Sequence, residues 1–252
     1  DFRSIDIGKP AGQAVIDRIR ETRGYKQEVN LEEPDVIFKV VVSDQKCSVY
    51  LDTTGKKSLH RRGYRIWRHP SPLNPIIAYS MIRWSGWNPE KENLLDPFCG
   101  GGTIPIEAVL WALNIPPGKF RKMEFAFRKL PFFEESWMEE FESSQKDIDL
   151  EVYCTDRSLS CVRGAESNAR YAGVLNKIRF SRYDLEWIDI KFKEEKSIDR
   201  VVTDPPYGIR WKERDLKKIY RNFFWQMEYL LKDSGRIVLI SPKRRFVEEY
   251  SM

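Results

Sequence analysis

From residue 94 to the end of the chain, short apolar runs alternate with longer segments of helical periodicity, and this alternation constrains the fold more than any other feature. Strands separated by helices rather than by tight turns run parallel, with helices covering both faces of their sheet. We therefore predict an α/β fold with a doubly wound, mostly parallel sheet. Its predicted strands are residues 94–95, 151–155, 178–181, 199–203 and 236–240, and its predicted helices are residues 103–113, 159–172, 216–231 and a segment from 244.

A smaller α/β unit is predicted before this sheet. Residues 10–22 have helical spacing and precede Gly24, and the apolar runs 36–42 and 47–51 indicate a β-hairpin. A long insert, residues 114–150, is rich in Phe, and we expect most of these rings to pack locally. The predicted organisation is a first unit over residues 1–54, a basic linker over 55–75 and a larger domain over 76–252.

Composition excludes several classes of protein. No apolar run approaches the roughly 20 residues needed to cross a bilayer, and no signal peptide is visible. The four cysteines form no CxxC pair and there are only two histidines, which disfavours a metal site or a disulfide framework. We therefore expect a cytoplasmic, monomeric protein with reduced cysteines and no bound metal.

Positive charge is concentrated in residues 60–69. The whole chain carries 43 Lys and Arg against 38 Asp and Glu, an excess that only slightly favours a polyanionic partner. In residues 60–69, however, four arginines are interleaved with Tyr64 and Trp67. Phosphate contact with aromatic stacking is one interpretation, and a solvated linker is the other. The candidate RNA-binding residues are Arg61, Arg62, Arg65 and Arg68.

A glycine-rich loop joins the first strand of the predicted sheet to the following helix. Its glycines allow a tight turn and close approach of a ligand, while the helix N-terminus offers unpaired amides. We predict a nucleotide-like ligand here, with an ordinary βα turn as the alternative. The spacing is not G-x-G-x-x-G, which argues against a nicotinamide cofactor. The candidate ligand-binding residues of this loop are Asp96, Phe98, Gly100, Gly101, Gly102 and Thr103.

Acidic residues follow the next two strands. Asp156, with Arg157 beside it, is placed where a carboxylate can accept both hydroxyls of a ribose. Asp184 follows the third strand and could accept the amino group of an adenine beside the apolar Leu185. Each acid could instead cap a helix. Taken together, and in this order, they predict one crevice for an adenosyl cofactor.

Asp204-Pro205-Pro206-Tyr207 ends the fourth strand and is the most specific motif of the chain. The exocyclic amine of a base is a poor nucleophile because its lone pair is delocalised into the ring. Asp204 and the carbonyl of Pro205 can accept its two hydrogens and localise that lone pair. Two prolines keep the turn rigid, and Tyr207 can stack on the base. We predict that these four residues form the catalytic centre of an amine methyltransferase.

These motifs resemble the THUMP-associated RNA guanine-N2 methyltransferases, which have the class I, Rossmann-like fold. Residues 1–54 are similar to the later part of a THUMP domain, an RNA-binding module, and residues 30–36 are the most recognisable segment. Among family members, the loop and the segment at 70–74 look most like the enzymes that act on guanosine 6 of tRNA. The matching motifs are residues 58–65, 69–75, 96–108, 156, 184–185 and 204–208.

The resemblance implies S-adenosylmethionine as cofactor and structured RNA, specifically tRNA, as partner. It implies that Gly100 and Gly102 line the methionine part of the cofactor, Asp156 its ribose, and Asp184 with Leu185 its adenine. The segment bordering the cofactor carboxylate would be Pro70, Ser71, Pro72, Leu73 and Asn74.

The chain departs from the family pattern at both ends. Family members begin with another small domain and the first half of THUMP, and their sheet continues into an antiparallel hairpin, so we interpret this chain as a fragment. Several functions stay open: a tRNA guanosine-10 or rRNA guanine-N2 methyltransferase, a DNA or RNA adenine-N6 methyltransferase, and a non-catalytic RNA-binding protein. The intact glycine loop and Asp204 disfavour the last.

Overall fold

The computed structural model of the chain describes residues 3–120, 125–208 and 212–251. It divides into two compact units, the first comprising Asp1–Arg61 and Arg121–Met138, the second Arg62–Phe120 and Glu139–Met252. The basic segment predicted as a linker is therefore split between the units at Arg61. No helix in the described ranges is both long and apolar enough to cross a bilayer.

The first unit contains the predicted helix and hairpin. Helix α1 (Ser4–Arg23) ends at Gly24, whose φ of 76° is the left-handed conformation that glycine adopts without strain. It begins six residues before the predicted start, because the Asp6 carboxylate accepts the Arg3 backbone N–H and caps an earlier turn. Strands β1 (Phe38–Ser43) and β2 (Lys46–Leu51) pair antiparallel, which confirms the hairpin.

Part of the long insert belongs to this first unit. The Phe125 and Phe127 rings stack at 5.0 Å, and Phe127 also contacts Phe133 at 5.3 Å between centroids. The Phe127 backbone N–H donates to the Thr53 carbonyl at 3.1 Å, beyond β2. These contacts confirm local aromatic packing, although the sequence did not indicate that the segment folds with residues far upstream. The insert also contains helix α4 (Ser136–Ser143), preceded in the chain by α2 (Pro75–Ser85) and α3 (Thr103–Ala112).

The second unit contains a five-stranded parallel sheet in the order β5-β4-β3-β6-β7. The predicted strands are confirmed with small shifts, except that the last begins five residues early because Leu231 already pairs with Ile198 through a register irregularity. The strands are β3 (Leu94–Asp96), β4 (Val152–Asp156), β5 (Ile178–Arg182), β6 (Ile198–Thr203) and β7 (Leu231–Leu239).

Helices pack on both faces of this sheet, as the doubly wound pattern predicts. The adjacent residues Leu94 and Leu95 are fully buried in two separate apolar clusters, the first including residues of α3 and the second residues of the long helix before β7. Parallel strands place their carboxyl ends at one edge, so the loops after β3, β4 and β6 meet there. The remaining helices are α5 (Leu159–Tyr171), α6 (Ile188–Lys191), α7 (Glu213–Leu230) and α8 (Arg244–Tyr250).

Candidate active site

A cavity of about 850 Å³ lies within the second unit at the carboxyl ends of the strands. Its volume suits a ligand of nucleotide size. All four predicted catalytic residues line it, as do all the predicted cofactor-binding residues except Asn74 and Gly102. The cofactor candidates in the lining are Pro70, Ser71, Pro72, Leu73, Asp96, Phe98, Gly100, Gly101, Thr103, Asp156, Arg157, Asp184 and Leu185.

Asn74 and Gly102 are used for local structure instead. The Asn74 side chain accepts the Ile76 N–H at 2.9 Å and caps α2. It therefore serves as a helix cap rather than as the cofactor-binding residue that we predicted. Gly102 has a φ of 76°, and a Cβ there would lie 2.8 Å from the Ala165 Cβ of α5. Its lack of a side chain is therefore needed for packing between the loop and α5.

The glycine loop is tied to β4 through Asp156. The Gly100 N–H donates to Asp156 Oδ2 at 3.0 Å, and the Ser158 N–H donates to Oδ1 at 2.8 Å. These bonds hold the carboxylate at the cavity wall in one orientation, while each oxygen keeps a further lone pair for a ligand. Asp156 thus acts both as a structural acceptor and as a lining residue.

Asp184 and Leu185 lie at the end of β5. Asp184 is exposed and its side chain accepts the Glu186 N–H at 3.3 Å, capping a short 3₁₀ turn. Leu185 is buried in the wall beside it. The apolar wall that we predicted beside Asp184 and the alternative capping role are both present at this position.

Asp204 is a half-buried carboxylate in the turn after β6. Burial raises its pKa to about 6, a rise that the Tyr207 hydroxyl and the charge of His69 partly oppose. Its Oδ1 atom is buried and has no hydrogen-bond partner among the described residues. A buried acceptor without a partner is costly unless a ligand satisfies it. Tyr207 beside it is 40% exposed, so its ring is accessible.

Asp96 differs from the other acids because it is fully buried. Its Oδ1 accepts the Thr203 hydroxyl at 2.7 Å and the Phe98 N–H at 3.2 Å. Burial raises its pKa to about 8, and the negative charges of Asp204 and Asp156 contribute to the rise. This carboxyl therefore takes up a proton far more readily than an exposed aspartate does.

Of the four predicted RNA-binding arginines, Arg62 is buried in an ion pair and Arg65 lines the cavity. Arg62 is buried and pairs with Glu107 of α3, with Nη2 and Oε2 3.1 Å apart. The Tyr64 hydroxyl donates to the same carboxylate at 2.8 Å. The prediction that Arg62 contacts RNA is therefore wrong, and Tyr64 is fully buried and cannot stack on a base. Arg65 lines the cavity.

The remaining two candidates, Arg61 and Arg68, are exposed on their respective units.

Several residues of the cavity lining are not predicted from the sequence. Four of them follow helical spacing on α7, so one face of this helix borders the cavity. The sequence alone does not indicate which face that is. Glu186 connects to that face, because its Oε1 accepts Lys218 Nζ at 2.6 Å and Asn222 Nδ2 at 3.1 Å. The missed lining residues include His69, Asn168, Asp215, Lys218, Ile219 and Asn222.

The lining offers acceptors for hydroxyl and amino groups. Asp156 of β4 and Asp184 after β5 supply carboxylates, and Asp204 Oδ1, which has no partner among the described residues, supplies one more acceptor. In the described ranges, no three His, Cys, Asp or Glu side chains are grouped closely enough to hold a metal ion.

Comparison with known proteins identifies the family of the chain. The family described as UPF0020, RMKL-like methyltransferase domain, matches residues 62–251. A tRNA (guanine(6)-N2)-methyltransferase of Methanocaldococcus jannaschii is 38% identical over 253 residues, covering 99% of this chain and 65% of the relative. An enzyme of the same name from Archaeoglobus fulgidus is 36% identical, covering 97% of this chain and 58% of the relative.

The crystal structure of SMU.472 complexed with SAH has the same fold. It matches with a TM-score of 0.83 at 25% identity, covering 98% of this chain and 64% of that one. The chain therefore spans 58–65% of the length of these relatives.

Proposed function

Since the chain belongs to the RMKL-like methyltransferase domain family, we propose that it transfers a methyl group from S-adenosylmethionine to the exocyclic N2 amine of guanosine 6 in tRNA. The observation that carries the reaction type is that Asp204 Oδ1 is buried and has no hydrogen-bond partner in the described part of the chain, beside Pro205 and the exposed Tyr207. The names of the two archaeal relatives support the guanine and its position.

In this proposal the cofactor lies along the carboxyl ends of β3, β4 and β5. Asp156 accepts the ribose hydroxyls, Asp184 and Leu185 contact the adenine, and Gly100 with Gly101 borders the methionine part. The 70–73 segment closes the same wall. The bound cofactor supplies an electrophilic methyl group, so the protein needs only to bind, align and polarise the acceptor.

The acceptor amine would lie at Asp204. Its carboxylate and the Pro205 carbonyl accept the two amine hydrogens, which localises the nitrogen lone pair. Both acceptors are fixed before the base arrives, because two consecutive prolines restrict the turn. The partly exposed Tyr207 ring offers a stacking surface for a base that has left its helix.

RNA contacts beyond the four catalytic residues would hold the target in place. We propose that residues 1–54 are a partial THUMP-like RNA-binding module, supported by their helix and hairpin and by the resemblance of residues 30–36. Arg61, Arg65 and Arg68 remain candidates for phosphate contacts, because none of the three is buried. In this role they would offset the few kcal/mol that base flipping costs.

Mass analysis of nucleosides tests the proposed function. Unmodified tRNA incubated with the protein and S-adenosylmethionine should gain N2-methylguanosine, and fragment mapping should place it at position 6. N2-methylguanosine at position 10, or only in rRNA, would contradict the proposed site. N6-methyladenosine in RNA or DNA would contradict the proposed base. RNA binding without any methylation would favour the non-catalytic alternative.

Replacing Asp156 tests the cofactor site. We expect Asp156→Ala to weaken cofactor binding by about 1–3 kcal/mol, the scale for leaving polar ligand groups without partners. Titration calorimetry with S-adenosylhomocysteine measures this loss directly. Asp147→Ala is a matched control, because that carboxylate is exposed and pairs with Lys177 outside the cavity lining. Unchanged affinity in Asp156→Ala would remove this residue from the proposed site.

A further inference from the structure

Asn168 of α5 joins two walls of the cavity. Its side chain is fully buried, and its Oδ1 accepts the Trp67 backbone N–H at 2.8 Å. Its Nδ2 donates to the Trp67 carbonyl at 3.1 Å and to the Gly101 carbonyl at 3.0 Å. One amide group therefore binds the backbone of the 67–73 segment and the backbone of the glycine loop at once.

Trp67 is held by packing as well as by these hydrogen bonds. A Cβ added to Gly164, one turn before Asn168, would lie only 2.1 Å from Trp67 Cδ2. The indole therefore lies directly against the helix backbone at a position that has no side chain. His69 lies two residues after Trp67, and its ring is about 3.6 Å from where a Cβ of Gly100 would be. The 67–73 segment is thus fixed to α5 and adjacent to the loop.

We propose that Asn168 is a positioning residue that holds the 67–73 segment against the glycine loop and thereby sets the width of the cofactor cavity. Asn168 is among the residues that line this cavity, but its amide is already used in the three bonds to Trp67 and Gly101. It acts on the cofactor through the residues it holds. The inference rests on the proposed function, because it takes the cofactor as the ligand of the cavity.

The hydrogen bonds of Asn168 are buried, so their loss affects the two backbone segments that they join. Without the amide, the Trp67 N–H and the carbonyls of Trp67 and Gly101 lose their partners in a region closed to solvent. A water molecule in the space left by the amide could bond to these groups, but it is not anchored to α5 and leaves the segment and the loop free to separate. Such separation widens the cavity between residues 70–73 and Gly100, while the turn at Asp204 stays on β6.

Asn93 provides a control with similar bonding at the opposite edge of the sheet. It precedes β3, and its Nδ2 donates to the Ser197 carbonyl at 2.8 Å while its Oδ1 accepts the Asp199 N–H at 2.9 Å. Asn93→Ala therefore also removes an amide that joins two backbone segments. It does so at the amino ends of the strands, outside the cavity lining.

The test compares Asn168→Ala and Asn93→Ala by calorimetry with S-adenosylhomocysteine and by steady-state kinetics. We expect Asn168→Ala to weaken binding tenfold or more and to raise KM for S-adenosylmethionine, with kcat at saturating cofactor within threefold. Asn93→Ala should bind within twofold of the unmodified chain, even where both variants lose similar thermal stability. Equal cofactor affinity in the two variants, or a loss confined to kcat, would overturn the inference.

A second variant addresses the case in which Asn168→Ala does not fold. Gly164→Ala leaves the amide in place but pushes Trp67 away from α5, so it should also raise KM for the cofactor tenfold or more. Unchanged KM in this variant would overturn the inference. Failure of the unmodified chain to bind S-adenosylhomocysteine would instead overturn the proposed function, and the inference with it.

Discussion

The Asp204→Ala variant is expected to lose roughly 10²–10³-fold in kcat, the scale measured when one preorganised electrostatic contact to a reacting group is removed. Its cofactor affinity should stay within about twofold, because the carboxylate faces the acceptor amine in the proposed arrangement. Single-turnover methylation of tRNA measures the first quantity, and calorimetry with S-adenosylhomocysteine measures the second. Equal losses of rate and cofactor affinity would place Asp204 in the cofactor site instead.

The raised pKa of Asp204 gives this prediction a pH dependence. The charged carboxylate is the proposed acceptor, so kcat should fall as pH drops through about 6. The pKa of Asp204 in the folded chain is about 6, above the ordinary value of 3.8. Between pH 3.8 and about 6, the folded chain therefore binds more protons at Asp204 than the unfolded chain does. Charged Asp204 therefore lowers stability at neutral pH. Asp204→Asn should raise Tm at pH 7, and the gain should disappear as pH falls toward 4.

Arg62→Ala is expected to destabilise the fold by about 3–5 kcal/mol, because it leaves the buried Glu107 carboxylate without its cation. The two side chains are only 8% and 3% exposed, so water cannot replace the missing partner without disrupting the core. Urea unfolding followed by tryptophan fluorescence measures the change. Burial already raises the pKa of Glu107, with Arg62 opposing the rise. The destabilisation should therefore shrink at lower pH, where Glu107 can take up a proton.

Arg68→Ala separates this structural role from an RNA-binding role. Arg68 is exposed and lies six residues along the same basic segment, so we expect its removal to leave unfolding unchanged. If Arg68 contacts phosphate, this variant should bind tRNA more weakly and show a smaller dependence of affinity on salt. Arg62→Ala with normal stability and weakened tRNA binding would show that the buried ion pair has been assigned the wrong role.

The sheet and the acids at its edge could be predicted because both depend on local pattern. Alternation of apolar and helical segments indicates parallel strands, and residues that follow parallel strands meet at one edge. Asp156 and Asp184 are predicted to share one crevice for this reason, and the structure brings both into one cavity with Asp204. The exact start of β7 is not predictable from the sequence, because residues 232–235 have the composition of a turn and lie in the register irregularity between Leu231, which pairs with Ile198, and Arg236, which pairs with Arg200.

Contacts between residues far apart in sequence were not predictable in this way. Arg61, Arg62 and Arg65 look equivalent in the sequence, but only Arg62 meets the buried Glu107, 45 residues further on. Asn168 resembles any polar residue of an amphipathic helix, yet its partner Trp67 is 101 residues upstream. A single sequence contains no local signal for either pairing, because the partners are brought together only by the completed sheet.

The close contact between Gly102 and Ala165 also limits how a sequence with this fold can diverge. The two positions come from different segments, but the Cβ of one would already touch the Cβ of the other. A larger residue at 165 would push on the loop that borders the cavity, and any side chain at 102 would in addition have to adopt a left-handed φ. Homologues that keep the loop should therefore keep small residues at both positions together, so that the first turn of α3 and the middle of α5 evolve as one unit.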